Sequence, residues 1–195
     1  MSLTKQAKTL TKHQQSAMML FLQSTRHSQR NQLIFMLSIK AGLRAKEIAS
    51  LTWSMITDAE GNITDAIRLN NHAAKGRSGG VIYLNKDLKQ MLIHYRQTCK
   101  FAHLDETVIK TERNNQTDAQ VIVNMFSAWY RKLGFHGCSS HSGRRTFITN
   151  AARKISSVGG SMRDVQMLAR HSSLQMTQRY IDCDTDAQKK IVHLV

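Results

Sequence analysis

The chain has 195 residues with 41% hydrophobic content, enough for one compact domain with a real core and short for two. Its 28 Lys and Arg against 13 Asp and Glu give a formal charge of +15, which points to a polyanionic partner, nucleic acid ahead of a membrane surface. No apolar run approaches the roughly 20 residues needed to span a bilayer, and MSLTKQAKTLTKHQQ lacks the apolar centre of a signal peptide.

Residues 1–12 are polar and basic and read as an N-terminal arm. Helical spacing starts near Thr11 with Met18 to Leu22, and Leu33, Ile34, Leu37 and Ile39 form a second stripe that should stop at Gly42. A short helix, RAKEIASL, follows. The runs AIRLN and VIYL, on either side of a polar loop containing glycine, predict a β-hairpin with an extended tip. Helical spacing returns over residues 85–101 and 118–133. HSGRRTFITNAARK, residues 141–154, then opens a helix with Phe147, Ile148, Ala151, Ala152 and Ile155 on one face, ended by Gly159 and Gly160. Two short helices near 162–169 and 173–180 complete the core, leaving the tail IDCDTDAQKKIVHLV. The fold class expected is mainly α with a small antiparallel β-sheet (α+β). There is no proline or repeat to mark a domain boundary.

Cys99, Cys138 and Cys183 are too few and too scattered for a disulfide framework, so a reducing cytoplasm is the expected setting. His136, Cys138 and His141 cluster without a further ligand at zinc-like spacing, so no metal is expected. The basic residues are more informative. His141 and Arg144 are three apart at a helix start, where free backbone amides and the helix dipole already favour an anion, so they can clamp a phosphate. In AGLRAKEI, Glu47 lies three residues after Arg44 and can fix its guanidinium with the fork facing outward. In LARHSSLQMTQRYI, His171 precedes a serine pair suited to N-capping, and Tyr180 follows nine residues after it.

In order, AGLRAKEIASLTW, AAKGRSGGVIYL, HSGRRTF and LARHSSLQMTQRYI resemble the first arginine box, the lysine hairpin, the His-x-x-Arg box and the terminal histidine and tyrosine of tyrosine recombinases, the phage integrase family. The resemblance implies a catalytic domain over residues 13–183 and a tail, 184–195, that docks on a neighbouring protomer. It implies that Arg44 and Arg144 hold a scissile DNA phosphate, supported by Glu47, and that Tyr180 attacks it to form a 3′-phosphotyrosine bond. Lys75 would protonate the departing 5′ oxygen, with His141 and His171 positioning the phosphate and assisting proton transfer. Lys75 competes for that role with Arg77 and Lys86; its place far out on the hairpin and the readiness of lysine to shift its pKa favour it. Lys46, Arg77, Arg145 and Arg179 would contact DNA, although Arg145, turned about 100° from Arg144, reads more readily as a backbone contact or a plain surface charge.

The chemistry is self-consistent. Attack on a phosphodiester builds charge on the non-bridging oxygens, which two fixed guanidiniums stabilise without a metal. A cationic field favours the phenolate character that a tyrosine, with a pKa near 10, otherwise lacks. One ester replaces another, so rejoining needs no ATP, and no phosphate-loop sequence appears. The expected partners are double-stranded DNA, further copies of the chain assembled on it as a dimer or tetramer, and an accessory DNA-binding protein. No cofactor and no membrane are expected, and the location would be cytoplasmic and nucleoid-associated. A regulatory protein that keeps the fold without turnover, or a type IB topoisomerase, are the competing readings. Gly143 departs from the larger apolar residue usual in the family and should weaken the helix start by about 1 kcal/mol relative to alanine. Too few residues precede the first box for the N-terminal clamp domain that family members commonly carry.

Overall fold

The computed structural model describes residues 6–71, 79–99, 103–112, 116–180 and Val192. The chain divides into two compact units, Met1–Phe147 and Ile148–Val195. Composition gives no sign of this division, because it falls inside a helix and not at a glycine-rich linker.

The first unit is built around α2 (Ser28–Ala41), whose second half is apolar but for Ser38 and Lys40; Leu33, Ile34, Phe35 and Leu37 have no exposed surface. A helix so largely apolar must be enclosed, and α1 (Lys12–Gln23), α3 (Ala45–Ala49) and α4 (Lys86–Thr98) pack against it. Thr11 caps α1 by accepting from Gln14 N–H, while the Gln14 side chain accepts from Thr11 N–H. α2 stops at Gly42, as the sequence predicts, in the left-handed conformation with φ 64°. Glycine is required there twice over, because a Cβ would also lie 2.6 Å from Phe147 Cδ1.

The predicted hairpin is present as β1 (Ala66–Leu69) and β2 (Gly80–Tyr83), paired antiparallel with Ile67 opposite Ile82 and Arg68 opposite Val81. Ile67 and Ile82 are fully buried and Arg68 and Val81 face outward, the period-two alternation that fixes register. The hairpin tip, with Lys75 and Arg77, lies outside the described residues. α4 begins at its Asn85 cap and ends at Thr98, short of the expected Phe101, which is also outside them. α5 (Ala119–Lys132), capped by Asp118, packs on α3 and carries Phe126, Trp129 and Tyr130 into an aromatic cluster with Phe135. Within the expected N-terminal arm, Leu10 is buried and its N–H donates to Thr146 Oγ1 at 2.8 Å, while Lys8 N–H donates to Gly137 O at 3.0 Å. One apolar side chain in a polar stretch is enough to seat that segment.

α6 (Ser142–Lys154) crosses the division between units. Of the five apolar residues expected on its core face, Ile148 alone is fully buried; Phe147, Ala151, Ala152 and Ile155 are half-buried. Ile155 lies beyond α6, in a 3-10 turn that Gly159 ends at φ 75°. The second unit continues with α7 (Met162–Ala169), whose Ser161 cap bonds Asp164, and α8 (Leu174–Gln178), capped by Ser173. α7 packs on α8, and Arg170 between them adopts φ 53°, the one positive φ at a non-glycine among the described residues. α8 was expected to reach residue 180 but stops at Gln178, so Tyr180 sits in the turn that follows.

Candidate active site

In the first unit the left-handed end of α2 and the start of α3 create one sharp turn, Gly42–Arg44. Arg44 opens α3, and Glu47 reaches back to it with both oxygens. Oε2 accepts from Arg44 N–H at 2.8 Å and Oε1 accepts from Arg44 Nη1 at 2.8 Å. The Glu47 side chain has no exposed surface, whereas that of Arg44 keeps 19%. A fully enclosed carboxylate thus holds a guanidinium that still reaches solvent, which is what the spacing of AGLRAKEI predicts for the pair.

Arg144 enters from α6 and is 3% exposed. Its Nη1 donates to Gly42 O at 2.6 Å, so the second arginine is tied to a carbonyl two residues before the first. The packing beneath explains how. A Cβ at Gly143 would lie 2.3 Å from Ser38 Oγ and 2.9 Å from Ser38 Cβ, so α6 starts almost in contact with α2. Gly143, expected as a weakness of the helix start, is what permits that approach. The Ser38 hydroxyl is buried without a hydrogen-bond partner.

His141 shares the first turn of α6 with Arg144 but not its environment: it is exposed, and its carbonyl accepts from Arg145 N–H at 2.8 Å. Arg145 is half-buried and donates through Nη1 to Gln6 Oε1. Lys46 on α3 is exposed, and Lys86 is the exposed first residue of α4. His136 is exposed and Cys138 half-buried, and no group of three potential ligands among the described residues could hold a metal ion.

The second unit carries the other pair. His171 follows the left-handed Arg170 and is buried, with Nδ1 3.0 Å from Thr177 Oγ1. Its ring stacks on that of Tyr180, centroids 5.1 Å apart and planes inclined by 28°. Tyr180 is half-buried; its N–H donates to Thr177 O at 2.9 Å and its carbonyl accepts from Thr149 Oγ1 at 2.7 Å. Arg179, beside it, is exposed. The remaining tyrosines are differently placed. Tyr130 is buried and Tyr95 half-buried in the first unit, where desolvation pushes both hydroxyls well above the usual tyrosine range, and Tyr83 stands on the open face of β2.

Sequence reasoning singles out the charged and aromatic residues but misses what holds them: Gly42 O, Ser38, Thr149 and Thr177. Only the threonines left a trace. Thr146 and Thr149, three apart on the inward side of α6, and Thr177 amid exposed neighbours are polar residues at buried helical positions.

Comparison with known proteins extends this picture. The Tn1549 transposon integrase, solved with a circular intermediate DNA, matches with a TM-score of 0.74 at 19% identity, over 99% of this chain and 67% of its own. XerA recombinase matches with a TM-score of 0.69 at 19% identity, over 95% and 64%. A lambda integrase dimer bound to a COC′ core site gives 0.67 and 19%, over 90% and 48%. The chain therefore spans between 48% and 67% of these three, and likeness at such identity establishes the fold. No curated protein matches by sequence. The phage integrase family profile matches residues 8–186, a span that takes in both arginine boxes and the His171 to Tyr180 segment, and the chain belongs to the phage integrase family.

Proposed function

We propose that the protein is a site-specific tyrosine recombinase, a DNA strand transferase that cuts and rejoins double-stranded DNA through a 3′-phosphotyrosine intermediate. The observation that carries this reading is the double anchoring at one turn: Arg44 clasped by the enclosed Glu47, and Arg144 bonded to Gly42 O. Two permanently charged forks fixed before substrate arrives suit the non-bridging oxygens of a phosphodiester, and little reorganisation is then needed as charge develops.

In this mechanism Arg44 and Arg144 grip the phosphate, and the second unit supplies Tyr180 as nucleophile. The Tyr180 oxygen bonds to phosphorus, its phenolic proton passing to a histidine or to water, as the bond to the 5′ oxygen breaks and Lys75 protonates that oxygen, which leaves as the 5′ hydroxyl. His171, stacked on the nucleophile, and His141 orient the phosphate and assist proton transfer. Return of a 5′ hydroxyl reverses the step, so neither ATP nor a metal is consumed. Enclosure argues against Tyr130 as nucleophile, and desolvation, which raises the hydroxyl pKa of Tyr130 and of half-buried Tyr95, opposes attack by either. Lys46, Arg77, Arg145 and Arg179 would contact the DNA backbone. The protein would act in the cytoplasm on the nucleoid, as a dimer or tetramer on DNA with an accessory DNA-binding protein, its tail 184–195 docked on a neighbour.

The test is covalent capture. Wild type and Tyr180→Phe are incubated with fragmented DNA from the source replicon, denatured, and the protein-linked strands sequenced. Links at a few discrete sites, present in wild type and absent in the variant, are expected. Equal background from two proteins that both bind DNA would overturn the assignment in favour of a non-catalytic DNA-binding role. Links without sequence preference would turn it toward a topoisomerase.

A further inference from the structure

We infer that Thr149 is a positioning residue for the nucleophile, its hydroxyl latching the backbone of the turn that carries Tyr180. The inference deepens the proposed function and rests on Tyr180 being the attacking residue.

α8 is five residues long and ends at Gln178, so Tyr180 gains no direction from a continuing helix. Its N–H is held locally, by Thr177 O three residues back. The bond from Thr149 Oγ1 to Tyr180 O comes from 31 residues away, on α6, and is 2.7 Å long. Thr149 is 4% exposed, so water does not readily replace the contact. The ring is held separately: it stacks on His171, and Nδ1 of His171 meets Thr177 Oγ1. A nucleophile fixed at its carbonyl and along its ring face has a defined direction for its phenolic oxygen, the condition under which attack on a bound phosphate is fast. The contact uses the hydroxyl and not the bulk of Thr149, which makes it separable from packing: Val keeps the shape and loses the bond, and Ser keeps the bond and loses a methyl.

Two measurements test this, one independent of catalysis. The Arg179–Tyr180 peptide bond is a tryptic site within the latched turn, and Arg179 is exposed. Thr149→Val should raise the rate of cleavage at that bond, followed by mass spectrometry, by about 2- to 10-fold over other tryptic sites, the range spanned by one net hydrogen bond; Thr149→Ser should match wild type. On a nicked DNA substrate that traps the covalent product, Thr149→Val should form product roughly tenfold more slowly at saturating protein. DNA affinity should stay unchanged, and Thr149→Ser should restore the rate. If Thr149→Val does not fold, Thr149→Ala supplies the same comparison. Unchanged tryptic cleavage would overturn the latch whatever the catalytic result. Equal loss in the Ser and Val variants would reduce Thr149 to a packing residue. Loss of covalent product from wild type itself, with tryptic protection still dependent on the hydroxyl, would refute the tyrosine assignment and leave the latch standing.

Discussion

Gly143→Ala should cripple strand cleavage more than it disturbs folding. The added methyl would stand 2.3 Å from Ser38 Oγ and 2.9 Å from Ser38 Cβ, where ordinary contacts are 3.4–4 Å, so α6 and α2 must separate by about an ångström at that point. Overpacking of this kind costs about 1–3 kcal/mol, and alanine in place of glycine returns up to about 1 kcal/mol of helix propensity. Net destabilisation should therefore be small, about 0–2 kcal/mol by urea unfolding. The shift, however, falls on the residue before Arg144, whose bond to Gly42 O is 2.6 Å long. A misplacement of about 1 Å at a catalytic group is worth on the order of 100-fold, so covalent product on a nicked substrate should form about that much more slowly. Ser38→Gly removes both clashing atoms and leaves the backbone carbon at 3.2 Å, so Ser38→Gly/Gly143→Ala should recover most of the rate, whereas Ser38→Ala, which leaves the Cβ, should recover little. Wild-type cleavage and stability in Gly143→Ala, or no rescue by Ser38→Gly, would refute the argument that this close approach sets Arg144.

Two further outcomes follow from the same side-chain chemistry. Arg44→Ala deprives the enclosed Glu47 of its guanidinium and should destabilise the fold by about 3 kcal/mol in thermal or urea unfolding; Arg44→Ala/Glu47→Gln should be more stable than the single variant, and simple additivity would contradict the buried-pair reading. Asp164 is held below its usual pKa by the backbone N–H and hydroxyl of Ser161, so its contribution to α7 is present above the ordinary carboxylate pKa and lost as pH falls through the lowered one. Protection of the amides at the start of α7, taken relative to their intrinsic exchange rates, should fall as pH drops below the ordinary carboxylate pKa, and Asp164→Asn should abolish that dependence.

The helices and hairpin were legible because their signals are local. Thr11, Gly42, Asn85, Asp118 and Gly159 are caps or stops whose physics is contained within a few residues, and Ile67 and Ile82 declare their strand by alternation. The pairing of Arg44 with Glu47 was legible for the same reason, being three residues long. Arg144 was named but its setting was not, because that depends on Ser38 and Gly42, about a hundred positions away, and on the absence of a side chain at Gly143. α6 misled most. Its apolar residues predict a core face, yet Ser142, Arg144, Thr146 and Thr149 are buried along with Ile148, since the helix encloses polar groups that bond to other segments. The end of α8 before Tyr180 was hidden too, since TQRYI has no glycine or proline to stop a helix.

The seating of the N-terminal segment has a mechanical corollary. Thr146 Oγ1 accepts from Leu10 N–H and donates to Ser142 O, so one hydroxyl joins the incoming chain to the first turn of α6. Lys8 is moored to Gly137, and Gln6 to Arg145. Tension applied ahead of Gln6, by a tag, a tether or a bound neighbour, is thus delivered to the helix turn that aims Arg144 and not dissipated in slack. Whatever is attached at that end acts as a lever on Arg144, the residue proposed to grip the phosphate, and its length and stiffness would become variables of the proposed reaction.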